Sequence, residues 1–107
     1  MFARKVSMQL RSGAAAEFKE KIENEVIPLL RKQKGFLDEI TFLYPNRKEV
    51  HAFSLWETAE SAEAYNGGAY PAVTRILASI VEGTPRVQTY EVLNSTFHKT
   101  AALAASA

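Results

Sequence analysis

Cysteine is absent from these 107 residues, which excludes disulfides, thiolate nucleophiles and cysteine-bound zinc. Histidine is nearly absent too, with only His51 and His98. His98 has no acidic or histidine neighbour at ligand spacing, so no metal site is expected. Charge of one sign is also lacking: 13 Lys and Arg stand against 12 Asp and Glu, a formal net charge of +1. With no electrostatic footprint, neither nucleic acid nor an anionic membrane surface is a favoured partner. No apolar run approaches the ~20 residues of a membrane-spanning helix. Serine, histidine and aspartate do not fall at catalytic-triad spacing, and there is no glycine-rich phosphate loop. The opening MFARKVSMQL carries charge at Arg4 and Lys5 and then alternates, as a strand does and a signal peptide does not, so a cytoplasmic protein is expected.

What is present is an ordinary globular composition, 47% hydrophobic and 23% charged. The length suits one domain that buries about two-thirds of the surface its unfolded chain exposes. Phe2 to Leu10 alternates, with Val6, Met8 and Leu10 on one face. From Ala14 to Lys34, the residues Ala15, Phe18, Ile22, Val26, Leu29 and Leu30 recur at three- and four-residue spacings, which predicts a helix. Pro28 removes a backbone donor and predicts a kink, and Gly35 predicts the stop. Phe36 to Tyr44 and Glu49 to Trp56 read as a hairpin around Pro45, Asn46 and Arg47. Thr58 is the expected N-cap of a helix ending at Gly67 and Gly68. Pro71 is expected to open another helix through Val73, Ile76, Leu77 and Ile80, closed by Gly83. Thr84 and Pro85 are expected to turn the chain into a last strand, Arg86 to Leu93.

This order, βαβ followed by βαβ, predicts an α+β, ferredoxin-like split βαβ domain over residues 1–93, with a four-stranded antiparallel sheet and its helices on one face. The alanine-rich tail, residues 94–107, is expected to be a docking arm or disordered. The two middle strands carry apolar residues at both parities: Ile40, Phe42, Tyr44, Val50, Ala52 and Trp56 at even positions, and Leu43, Phe53 and Leu55 at odd ones. Helices cover only one face, and each large side chain left in water forfeits about 1.5–3 kcal/mol. A second copy is the expected cover, giving a homodimer.

Three segments, EVIPLLRKQKGFL (Glu25 to Leu37), FSLWETAESAEAY (Phe53 to Tyr65) and EGTPRVQTYEVL (Glu82 to Leu93), resemble the antibiotic biosynthesis monooxygenase family of dimeric α/β barrels. The resemblance spans roughly Val6 to Leu93. It implies two ferredoxin-like subunits with facing sheets, and a small pocket between sheet and helices in each. It further implies oxygenation of activated aromatics such as anthrones and quinols, without metal, flavin or other cofactor. A haem-degrading branch of the family uses an asparagine in the first strand, a tryptophan in the second helical region and a histidine as iron ligand. Here those places hold Val6 and Ser7, Tyr65, and the neighbourhood of Thr74, so the resemblance does not extend to haem.

The catalytic candidate is His51, whose imidazole, with an ordinary pKa near 6.5, could accept a phenolic proton; the competing reading is a half-exposed strand residue beside Glu49. The substrate-binding candidates are Trp56, Tyr65, Tyr70 and Arg75. Trp56, at a strand-to-helix corner, suits core packing or pocket lining. Tyr65 and Tyr70 flank the Asn66, Gly67, Gly68 break, where a phenol could reach a substrate oxygen or sit at the solvent edge. Arg75 could hold an anionic oxygen or lie on a solvated helix face. The expected function is a cofactor-independent monooxygenase of a small aromatic or quinol-like molecule. The alternative is a non-catalytic dimeric α/β barrel that binds a small apolar ligand.

Overall fold

The first strand sets the frame. In β1 (Phe2–Leu10) the even residues Arg4, Val6, Met8 and Leu10 are buried, while Ala3, Lys5, Ser7 and Gln9 point to the other side. The computed structural model describes residues 1–97; His98 and the rest of the tail lie outside the described residues. After β1 come α1 (Ala15–Lys21), one π-helical turn (Ile22–Val26), α2 (Ile27–Arg31), β2 (Phe36–Leu43), β3 (Glu49–Trp56), α3 (Ala59–Gly67), α4 (Tyr70–Leu77) and β4 (Val81–Glu91). The sheet order is β2-β3-β1-β4 with every pairing antiparallel, the ferredoxin-like arrangement.

The expected kink at Pro28 takes the form of a widened turn. Proline has no N–H for the Asn24 carbonyl, and the turn before it opens so that the Ile27 amide bonds to the Ile22 carbonyl. Pro28 itself sits in the first turn of α2, where a missing donor costs little. Gly35 follows with φ 81°, and a Cβ there would lie 2.3 Å from Ser61 Oγ, so left-handed backbone and close approach to α3 both require glycine. Thr58 caps α3 as the sequence predicts, its hydroxyl accepting the Ser61 amide at 3.1 Å.

Two bulges depart from the sequence reading. In β2, Phe36 pairs with Trp56 but Asp38 pairs with Leu55, so Leu37 is the extra residue. That slip reverses the parity of the rest of the strand. Phe36 faces the helices with Trp56, and beyond the bulge Glu39, Thr41 and Leu43 take that side, paired with Ser54, Ala52 and Val50. Ile40 and Phe42 therefore share the open face with Phe53 and His51, opposite the even residues of β3. The second bulge is in β4. Ser7 pairs with Arg86 and Gln9 with Glu82, leaving Gly83, Thr84 and Pro85 against Met8 alone. Gly83 has φ 68°. The last strand thus begins at Val81, and the residues read as a turn form its bulge. Pro85 is tolerated because β4 is an edge strand.

The core lies between sheet and helices, where Leu10 and Val50 are fully buried with Trp56 and close against Phe18, Leu30 and Leu77. Among the described residues, no helix covers the other face of the sheet. There Ile40 and Phe42 are each half exposed, and Tyr90 sits across from Ala3.

Candidate functional site

Between the sheet and the helices is a cavity of about 210 Å3. Its walls are mostly aliphatic: Val6 and Met8 from β1, Ile22 and Val26 from the π-helical turn, Val73 and Leu77 from α4. Each irregular element contributes. The π-helical turn presents Ile22 and Val26 to the cavity, the β4 bulge brings in Gly83 and Pro85, and the β2 bulge delivers Glu39.

Against these walls stand a few polar groups. Arg4 is 2% exposed, its Nη2–H donating to Asn66 Oδ1 at 2.7 Å. Its guanidinium carbon lies 4.0 Å from the centre of the Tyr70 ring and 5.1 Å from that of Tyr65, so two aromatic faces hold the cation. Burial lowers its pKa, partly offset by the two tyrosines. Among the described residues no carboxylate forms an ion pair with it. Glu39, in the same row of the sheet as Arg4 with Ser54 between them, takes a hydrogen bond from the Thr41 hydroxyl; burial raises its pKa, and that hydrogen bond opposes the rise. The Tyr65 phenol is pushed up to about 12, first by burial, with Arg4 acting against the shift and Tyr70 and Glu39 adding to it. Tyr65 is therefore a neutral donor at physiological pH.

Of the candidates read from the sequence, Tyr65 and Tyr70 meet at this cavity, their ring centres 5.9 Å apart. Trp56 stands behind it with no exposed surface. Its indole N–H donates to Ser54 Oγ at 2.9 Å and its ring stacks on Tyr65 at 4.9 Å, so it fixes the ring that does line the cavity. His51 lies on the open face, with Nε2 2.9 Å from Glu49 Oε2 and its ring 4.9 Å from that of Tyr44. Arg75 is exposed on α4, outside the cavity lining.

The sequence reading passed over Arg4 and Glu39. Arg4 shares the parity of Val6, Met8 and Leu10, which was signal enough to place a charge on the buried face. Glu39 had no such signal, because its side depends on the bulge at Leu37.

Comparison with known proteins follows the same line. The antibiotic biosynthesis monooxygenase profile matches residues 1–85. The chain belongs to this family. No curated protein matches it. Solved structures do, at identities that show the fold alone. A protein of unknown function from Nitrosomonas europaea is 18% identical with a TM-score of 0.73, the match covering 89% of this chain and 91% of that one. SnoaB from Streptomyces nogalater, described as a cofactor-independent oxygenase, is 13% identical in a variant form, covering 89% and 95% with a TM-score of 0.72. A variant of MhuD with two manganese protoporphyrin IX molecules per active site is 15% identical, covering 90% and 98% with a TM-score of 0.73. Among the described residues, no histidine lines the cavity. Among the described residues no cluster of His, Cys, Asp or Glu could hold a metal ion, and no helix is long and apolar enough to cross a membrane.

Proposed function

We propose that this family member is a cofactor-independent monooxygenase of a small planar aromatic, phenolic or quinol-like, that ionises inside the cavity. The observation that carries the reading is Arg4, a buried cation in an apolar cavity, stacked by two tyrosine rings and, among the described residues, without a carboxylate partner. A buried charge without a counter-ion is costly, and an oxyanion on a bound ligand supplies the missing partner. The two phenols that hold the guanidinium also line the cavity, so an aromatic ring bound beside the cation would pack against them.

Such a site lowers the cost of forming a phenolate or enolate. The anion is electron-rich enough to reduce dioxygen, one electron at a time. For an anthrone, a C–O bond then forms at the ring carbon that lost its proton, and departure of water leaves the quinone. Dioxygen is the oxidant and is reduced to water and the new carbonyl oxygen. The protein contributes a dry enclosure, a fixed positive charge and the neutral Tyr65 donor.

The same reading assigns the open sheet face to a second copy of the chain. Ile40, Phe42 and Tyr90 are too exposed there for a single subunit, and one self-complementary patch serves both partners. The aliphatic walls also suit a non-catalytic binder of an apolar molecule, a reading that gives Arg4 no task. An oxygen electrode separates the two. Metal-free protein with a chelator present, offered hydroquinone and anthrone, is expected to consume oxygen above background; no uptake across the panel rejects the monooxygenase.

A further inference from the structure

We infer that Glu39 is the proton acceptor of this cavity, taking the proton from a bound phenol, quinol or anthrone on the same face of the sheet as Arg4, two strands away with Ser54 between them. The assignment rests on the monooxygenase reading for its substrate class and on the following geometry for its residue.

Glu39 reaches the cavity only because of a break in its strand. Regular alternation from Phe36 would send it to the open face; the extra residue Leu37 sends it instead under the helices, paired with Ser54. A bulge disrupts the ladder locally and is a common device for re-aiming a side chain beside an active site. Here it places a carboxylate in the cavity lining, in one row of the sheet with Ser54 and Arg4, instead of on the open face. Thr41, two residues on and facing the same side, gives its hydroxyl to the Glu39 carboxylate. That bond fixes one oxygen and leaves the other for a ligand.

Arg4 and Glu39 line the same cavity without forming an ion pair. The groups of opposite charge are held apart, one suited to an oxyanion and the other to the proton released in making it. Burial holds the carboxyl above its ordinary range, which brings it nearer to the acidity of the group it must deprotonate. The charged and titratable groups around it are Arg4 from β1, Tyr65 from α3 and Tyr70 from α4 within the cavity, with Arg31 of α2 and Asp38 of β2 in a neighbouring hollow that Glu39 also lines. His51, the other candidate acceptor, lies on the opposite face of the sheet.

In the step itself, with anthrone, the C–H bond of the ring methylene breaks. Its electron pair moves into the ring system as the enolate, whose oxygen faces Arg4, and the proton passes to Glu39. No oxidant is consumed until dioxygen meets the enolate.

This step can be observed without oxygen. Anthrone is added to the protein under argon, enolate formation is followed by its absorbance across pH, and binding is followed separately by quenching of Trp56 fluorescence. Wild type is expected to form the enolate. Glu39→Gln should slow it at least about tenfold and lose the pH inflection of the carboxyl, while binding anthrone within about threefold of wild type. Glu39→Asp should recover part of the rate, and circular dichroism checks that each variant is folded. Enolate formation by Glu39→Gln at the wild-type rate, or wild type that binds anthrone without ionising it, overturns the assignment. Oxygen uptake unaffected by Glu39→Gln leaves the monooxygenase standing and removes Glu39. Ionisation through Glu39 with no uptake in air does the reverse, and failure of anthrone to bind at all removes both.

Discussion

At the scale of single residues, the site is defined by two charges that a well-packed core would have avoided. Arg4 is enclosed by Tyr65, Tyr70 and Asn66, an arrangement that orients a cation but does not neutralise it. Arg4→Met should weaken binding of an ionised aromatic about 10- to 100-fold, the range for a lost charge-assisted contact, without lowering stability, since replacing a buried charge by an apolar side chain is often neutral or stabilising. Calorimetric titration and urea unfolding of the same variant check both halves. Glu39 carries a linked expectation. Its pKa is raised in the folded protein, so its contribution to stability is full below the ordinary glutamate value and is lost as pH rises through the raised one. Glu39→Gln should therefore unfold at higher urea than wild type near pH 7, and the difference should close in acid. A wild type that is the more stable of the two at neutral pH contradicts the burial argument.

At the scale of elements, the regular parts were legible in the sequence and the irregular parts were not. Alternation in β1, the Thr58 cap and the glycine stops at Gly35 and Gly67 are written in local residue chemistry, and the structure follows them. The bulges at Leu37 and at Gly83 to Pro85 are not, because pairing with a neighbouring strand decides them, and each changes which side chains reach the cavity. Glu39 was hidden for that reason, whereas Tyr65 and Tyr70 could be found beside a break that glycine announces. The junction of the first helical stretch with α3 is testable by itself. Gly35→Ala should cost at least about 1–2 kcal/mol from left-handed backbone alone, with a further penalty from the approach to Ser61. Adding Ser61→Gly should recover the second part and leave the first. Denaturant midpoints of the two single variants and the double variant give that coupling directly.

At the scale of the whole molecule, one face of the sheet lines the cavity and the other carries the apolar residues that the proposal assigns to a second copy. Phe42 is half exposed on the open face and packs edge-to-face on Phe53, the centroids 5.9 Å apart. Phe42→Glu is expected to raise the dissociation constant of the dimer roughly tenfold or more, as a loss of one large buried side chain predicts, and light scattering over a dilution series reads it. A wild type that is monomeric at micromolar concentration would leave that face unexplained. The cavity on the other side carries the central claim, that a buried cation among aromatic rings lets an ionised aromatic react with oxygen without a cofactor. The most direct test is a turnover of anthrone by metal-free protein under isotopically labelled dioxygen, with mass spectrometry of the quinone. The account predicts one labelled oxygen in the product from wild type and at least a tenfold loss with Arg4→Met. Quinone without label, or label gained equally by the variant, would contradict it.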